Sequence, residues 1–241
     1  MQETHEQIDQ WTSRVIRVTY EFSGFPREVA QIIAGYCATE QKLREWIDPS
    51  KLDRVSIYAN PIAFSNGMLN MNNLTQNKYP HIAQNPAAAD FLKSTPSDLT
   101  CSDFIWQNPE LLDWLVDKHN LPIKWYFLAQ NQCERAVKMV LSNPIRYNDF
   151  LLMGNPFAIA WIRSNMALIN VNYICGNSAA VDLIQELEEI DYHWLSVNPH
   201  PWAIEQLRLN QNKIDWHMFS TNPSIFEWYT NQELVAQLTR K

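Results

Sequence analysis

Glycine is scarce in this chain, with five residues among 241. Long loops and β-turns draw on glycine wherever φ must be positive, so a chain this poor in it favours short helices joined by tight connections. Cysteine is sparse as well. Cys37, Cys101, Cys133 and Cys175 stand far apart with no Cys-x-x-Cys pair, a spacing that excludes the usual zinc and disulfide frameworks and fits free thiols in a reducing compartment. No apolar run approaches the roughly 20 residues of a membrane span. The segment Met1 to Asp9 is polar and carries Glu3 and Glu6, unlike a secretory leader. A soluble, cytoplasmic protein that does not engage a membrane is expected. Positive charge is also in deficit: 19 Lys and Arg against 26 Asp and Glu give a net charge of −7. A broad nucleic-acid surface needs a basic excess, so no nucleic-acid partner is expected. Glycine-rich phosphate loops, His-Glu-x-x-His and Gly-x-Ser-x-Gly are all absent, and no nucleophile, base and orienting group can be assembled. The chain reads as a non-enzyme without cofactor or metal.

Apolar residues are plentiful at 46 %, enough for a substantial core. Asparagine is abundant and repeatedly precedes proline, at Asn60, Asn85, Asn108, Asn143, Asn155, Asn198 and Asn222. An asparagine side-chain oxygen accepts an orphan N–H of a helix's first turn, and proline suits the next position because its fixed φ already matches the helix. Each Asn-Pro therefore marks a helix start.

Two kinds of segment follow these caps. Type A places apolar residues three, four, six and seven positions on, as Asn155 does with Ala158, Ile159, Trp161 and Ile162, and Asn222 with Ile225, Phe226, Trp228 and Tyr229. Type B has its first anchor four positions on, as Asn165 does with Ile169 and Asn210 with Ile214. Both are short amphipathic helix patterns. The A anchors are Phe64, Ala89, Leu112, Val137, Ile159, Val181, Ile204 and Phe226. The B anchors are Leu99, Ile123, Tyr147, Ile169, Ile190 and Ile214. Successive anchors of one kind lie about 21–25 residues apart, a spacing typical of repeat arrays. Gly154 and Gly176 precede the caps Asn155 and Asn177, where a left-handed residue is expected to close helix B. Such helices are marginal alone and must stack. The expected fold is all-α, an α-solenoid of stacked short helix pairs over residues 58–230, capped at both ends. Residues 1–57 make the N-terminal helical cap, with helices over Arg27 to Tyr36 and Thr39 to Trp46. Residues 231–241 make a C-terminal capping helix.

The alternation of Asn-Pro-x-Ala-Ile-x-x-Leu with Lys-Ile-Asp-Trp-x-x-Leu-Ser-x-Asn-Pro, best seen over Asn155 to Ile162, Glu189 to Asn198 and Ala203 to Phe226, resembles the short helical repeats of giant DNA viruses of the marseillevirus and related groups. The resemblance spans roughly residues 58 to 230. It implies an interaction repeat with no catalytic residues, and a host or viral protein partner met in host cytoplasm or virion. A second, shorter stretch, Phe25 to Ile33, resembles the opening helix of an F-box, with Phe25 where leucine is usual. That implies a ubiquitin-ligase adaptor as a further partner. Two other readings remain open, a capping helix alone and a structural component of a virion or larger assembly.

Five residues stand out as candidates for protein binding. Trp106 precedes a cap and falls off the anchor pattern, so it is expected as an exposed hot spot. His193 and His217 lie three positions after B anchors, in a column continued by Tyr126, Phe150 and Asn172, and form an exposed ladder too small to fill a metal site. Glu188 and Glu189, with Glu186 and Asp191, make an acidic junction suited to a basic partner.

Overall fold

A computed structural model describes residues 39–71, 74–95, 102–118, 122–143, 149–168 and 170–231. The Arg27 to Tyr36 helix, with its F-box-like segment, and the proposed capping helix beyond residue 231 lie outside the described residues. The chain divides into two compact units. One is Glu45–Ile225; the other takes the flanking segments that end at Arg44 and begin at Phe226.

The larger unit is mostly short α- and 3-10 helices. Its organising feature is a set of eight buried asparagines: Asn60, Asn85, Asn108, Asn131, Asn155, Asn177, Asn198 and Asn222. In seven of them Oδ1 accepts the backbone N–H two residues on; at five this starts the following helix, and at Asn177 and Asn198 it makes a turn just ahead of it. The amide nitrogen of each faces the other way and donates to carbonyls of the preceding unit. Asn85 Nδ2 reaches the Tyr58 and Asn60 carbonyls at 2.8 and 3.1 Å. Asn108 reaches Ala83 and Asn85, Asn131 reaches Trp106 and Asn108, and Asn155 reaches Ala129 and Asn131. Asn177 reaches Met153 and Asn155, Asn198 reaches Cys175, and Asn222 reaches Ser196 and Asn198. One side chain thus caps its own helix and satisfies buried carbonyls of its neighbour, groups that are costly to leave unpaired.

The ladder closes on itself. Asn60, in the first unit, donates to the Ser220 and Asn222 carbonyls of the eighth at 3.2 and 2.8 Å. A second contact repeats across the same junction. Ser196 Oγ accepts the Asp215 N–H at 3.1 Å between units seven and eight, and Ser220 Oγ accepts the Asp53 N–H at 2.7 Å between units eight and one. The eight units form a ring, and an end that needs capping does not exist within it.

The core follows the ladder. Three residues before each asparagine sits a large apolar side chain, among them Ile82, Ile105, Leu128, Leu152, Ile174, Leu195 and Phe219, all fully buried. Three residues after six of the caps (Cys133 and His200 serving in units four and seven) the side chain is small, at Ala63, Ala88, Ala136, Ala158, Ala180 and Ala203, while after Asn108 and Asn222 it is Leu111 and Ile225. One turn later come Leu92, Leu115, Val140, Ile162, Ile184 and Leu207, also buried. Ile159, expected as an anchor, is only half-buried, and so are the B anchors Ile123 and Ile190. The anchors Ala89, Leu112, Val137, Ile204 and Ile214 are buried as expected, and in the unit of Ile159 the deepest positions are Ala158 and Ile162, three and seven places after the cap.

Several caps also differ from expectation. Asn143 is exposed and stands off the ladder, its amide turned back to the Met139 carbonyl. Asn131, followed by Gln132, holds the ladder place instead. Its Oδ1 is left without a partner, and the helix start moves to Cys133. Asn165 and Asn210 close A helices by donating to the Trp161 and Gln206 carbonyls; Asp215 and Asp191 start the B helices that follow later. Gly154 and Gly176 do not adopt positive φ; among the described residues only Gly67 does, at 67°.

In the smaller unit two strands pair. β1, Thr39–Leu43, lies antiparallel to β2, Phe226–Thr230, in a register that sets Gln41 opposite Trp228 and Leu43 opposite Phe226. Helices were expected over both stretches. Phe226-Glu-Trp-Tyr-Thr is rich in aromatic and β-branched side chains that favour a pleated surface, so pairing overrides the helical spacing. Lys42 Nζ sits 4.1 Å from the Tyr229 ring centre, and Arg44 bonds Glu227 at 2.8 Å.

Candidate binding cavity

Closing eight units into a ring leaves a space at its centre, a cavity of about 400 Å³ to which every unit contributes. Local structure decides which side chains reach it. The residue directly before each ladder asparagine faces inward, and the residue four before it lies one helical turn away on the same face. The first set is Ala59, Gln84, Gln107, Gln130, Gly154, Gly176, Val197 and Thr221, all lining the cavity. From the second set come His81, Leu151, Tyr173, Trp194 and Met218. Prolines that follow the ladder asparagines, such as Pro61, Pro109 and Pro223, line it from the other side.

The wall is chemically divided. Gln84, Gln107 and Gln130 occupy units two to four, with Gln132 beside them. Units six and seven contribute Tyr173, Trp194 and Val197 to the same lining. Tyr173 and Trp194 rings are 4.6 Å apart. No Asp, Glu, Lys or Arg is among the described lining residues. The titratable groups at the wall are His81, His217 and Tyr173. His81 and His217 meet edge to face with centres 5.8 Å apart. Burial pushes the His81 imidazole below its usual pKa; His217 adds to the effect and Asp53 opposes it. His81 therefore stands neutral at physiological pH, and its Nδ1 is buried without a hydrogen-bond partner.

Units three to five carry aromatic side chains at the positions where Tyr173 and His217 line the cavity, here called its mouth. Phe104 and Phe127 are 4.8 Å apart, Tyr126 meets Phe127 at 5.2 Å, and Phe150 stacks on Tyr173 at 5.9 Å with planes 12° apart. Tyr126 and Phe150 are 55 % and 43 % exposed. Exposed aromatics of adjacent units beside a cavity are unlike isolated surface apolar residues, which are ordinary.

The five residues singled out from sequence divide. Trp106 is 3 % exposed. It sits two positions before Asn108, in the column whose carbonyls receive the ladder amides, and it is a core residue rather than an exposed hot spot. His193 and His217 are exposed, on the column of Tyr126 and Phe150 as expected, but each pairs with an aspartate of the next unit and not with the other. His193 Nδ1 lies 2.6 Å from Asp215 Oδ2, and His217 Nδ1 lies 3.5 Å from Asp53 Oδ1. Burial raises the Asp215 carboxyl, but the Met218 N–H and His193 outweigh this and hold it below its usual value. Asp53 is lowered likewise: burial opposes, and the backbone N–H groups of Ser56 and Val55 with His217 prevail. Glu188 and Glu189 are exposed. Among the described residues no three His, Cys, Asp or Glu side chains gather in a way that could hold a metal ion. The glutamines went unmarked in the sequence, and Tyr126 and Phe150 were noted only as members of the histidine column. Their signal is positional, one or five places before an asparagine, and has no meaning until the ladder is known.

Comparison with family models, with curated proteins and with solved structures finds no match to the chain.

Proposed function

We propose that this chain is a non-enzymatic binding protein whose partner is another protein, received at the aromatic mouth of the ring. The observation that carries the reading is the stack of Phe150 on Tyr173 and of Tyr173 on Trp194, the last two lining a cavity with no charged residue among its described lining, with Tyr126 exposed at the position equivalent to Phe150 one unit away. Aromatic side chains give large contact area at low entropic cost and dominate binding energy at protein interfaces. The wall offers amides, two histidines and apolar surface, which suits recognition better than bond-making. The repeat by itself suggests binding through an extended solenoid surface, with no face preferred; closure into a ring favours the inside and its rim. The ubiquitin-ligase adaptor is carried by the F-box resemblance alone, and that segment lies outside the described residues.

The test is quantitative affinity enrichment from cells that produce the full chain, comparing the wild type with Tyr126→Ser/Phe150→Ser. Both side chains are exposed, so the double variant should keep its helical signal and lose the partner that the wild type enriches. A partner retained at wild-type level would place the binding surface elsewhere.

A further inference from the structure

We propose that the central cavity recognises the uncharged backbone of an extended peptide segment carried by the protein partner, with Gln84 and Gln107 as the groups that pair with it. The inference rests on the protein-partner reading and adds the chemistry of what enters.

Three observations converge. Gln84 and Gln107 occupy equivalent positions in consecutive units, and neither side chain makes a hydrogen bond among the described residues. Each amide offers donors and an acceptor together, the complement of a peptide group, which offers one of each. Among the described residues, the wall they belong to holds no Asp, Glu, Lys or Arg. A charged side chain drawn inside would lose its water with no ion to replace it, a heavy penalty, whereas a peptide backbone finds amides together with Tyr173 and Trp194 in the same lining. The third observation is Gly154. It has no positive φ, and a Cβ there would meet only ordinary neighbours, the Tyr173 and Leu151 carbonyl oxygens at 3.6 and 3.9 Å. The backbone does not require glycine. What its missing side chain does is leave room, at the position where units two to four carry glutamine.

That equivalence supplies a variant that blocks the cavity without removing a structural contact, Gly154→Gln. The experiment titrates the isotope-labelled full chain with a short capped peptide of alanine, threonine and phenylalanine, with versions carrying two lysines or two glutamates, and with adenosine. The side-chain amide resonances of Gln84 and Gln107 should move with the uncharged peptide. Affinity should fall at least about ten-fold for either charged version, and by a similar factor in Gln107→Ala and Gly154→Gln. Equal binding of the charged peptides, a response to adenosine in place of the peptide, or no response to any probe overturns the proposal. Partner enrichment separates the two readings. Loss on Tyr126→Ser/Phe150→Ser with full retention on Gly154→Gln sinks the cavity while leaving the mouth; retention on both sinks the mouth itself.

Discussion

The side-chain amide of Asn60 donates to the backbone carbonyl of Asn222 at 2.8 Å, across 162 positions of sequence. The same bond joins Asn85 to Asn60 and Asn108 to Asn85 at 3.1 and 2.7 Å. The junction between the last unit and the first is thus built like the junctions inside the array.

If the ring is closed in solution, Asn60→Ala and Asn108→Ala should destabilise alike. Each removes a cap and strands one buried carbonyl, that of Ser220 or of Ala83, while the Asn222 or Asn85 carbonyl keeps a backbone N–H, for a loss of about 2–4 kcal/mol in all. Asn131→Ala should cost less, because its Oδ1 makes no bond to lose. Urea unfolding of the three variants measures this. A cost for Asn60→Ala well under half that of Asn108→Ala would mean an open array.

Closure also sets where the fold loosens. An open stack frays from its end units, whereas in a ring every unit is flanked on both sides. Native-state hydrogen exchange should therefore find the amides around Asn60 and Asn222 as protected as those around Asn155. Fast exchange confined to the first and eighth units would contradict it.

Depth, not apolarity, should rank substitutions within one unit. Ile162→Ala removes a fully buried side chain and should cost about 2–5 kcal/mol, while Ile159→Ala, half-buried, should cost clearly less. Ala158→Leu forces extra volume between closely packed helices and should cost about 1–3 kcal/mol. Thermal or urea midpoints decide the order; equal effects at 159 and 162 would be incompatible with the packing described.

Stability should decline on mild acidification. A base whose pKa is lowered by folding binds its proton more readily when unfolded, so the stability His81 permits is full above the ordinary imidazole value near 6.5 and drops as pH falls from there toward the folded value. The groups facing it are His217, which reinforces the shift, and Asp53, which opposes it. Urea midpoints should fall between about pH 7.5 and about pH 5.5, and His81→Gln should flatten the fall. Asp53 and Asp215 act lower. Their depressed carboxyls contribute stability above about pH 4 and lose it as pH drops through their lowered values. An unchanged slope in His81→Gln would show that burial does not hold this imidazole neutral.

Much of the helical pattern was legible, since Asn-Pro is a start signal with a local mechanism. The oxygen of Asn155 does what capping chemistry says it should. Its nitrogen is another matter: which carbonyls Nδ2 meets depends on the neighbouring unit, and local reasoning stops at the first turn. Closure is invisible for a similar reason, because a periodic pattern reads the same in an open stack and in a ring. Trp106 misled because its column also holds Tyr58, Ala83, Cys175 and Ser220, residues with no shared chemistry. What they share is a carbonyl or a place beside one. Thr39 to Leu43 failed because strand pairing with Phe226–Thr230 is set by a partner nearly the whole chain away.

A closed ladder has a consequence for how such a chain can evolve. An open array can gain or lose a copy by duplication or deletion and remain foldable, since every junction tolerates one more neighbour. Here each unit must turn through one-eighth of a full circle for Asn60 to find Asn222. A ninth copy would force every unit to turn less, and every amide would then miss its carbonyls by the same increment. Copy number is locked by angle, so change is channelled into the inward-facing residues before each asparagine, where Gln, Gly, Val, Thr and Ala already share one position.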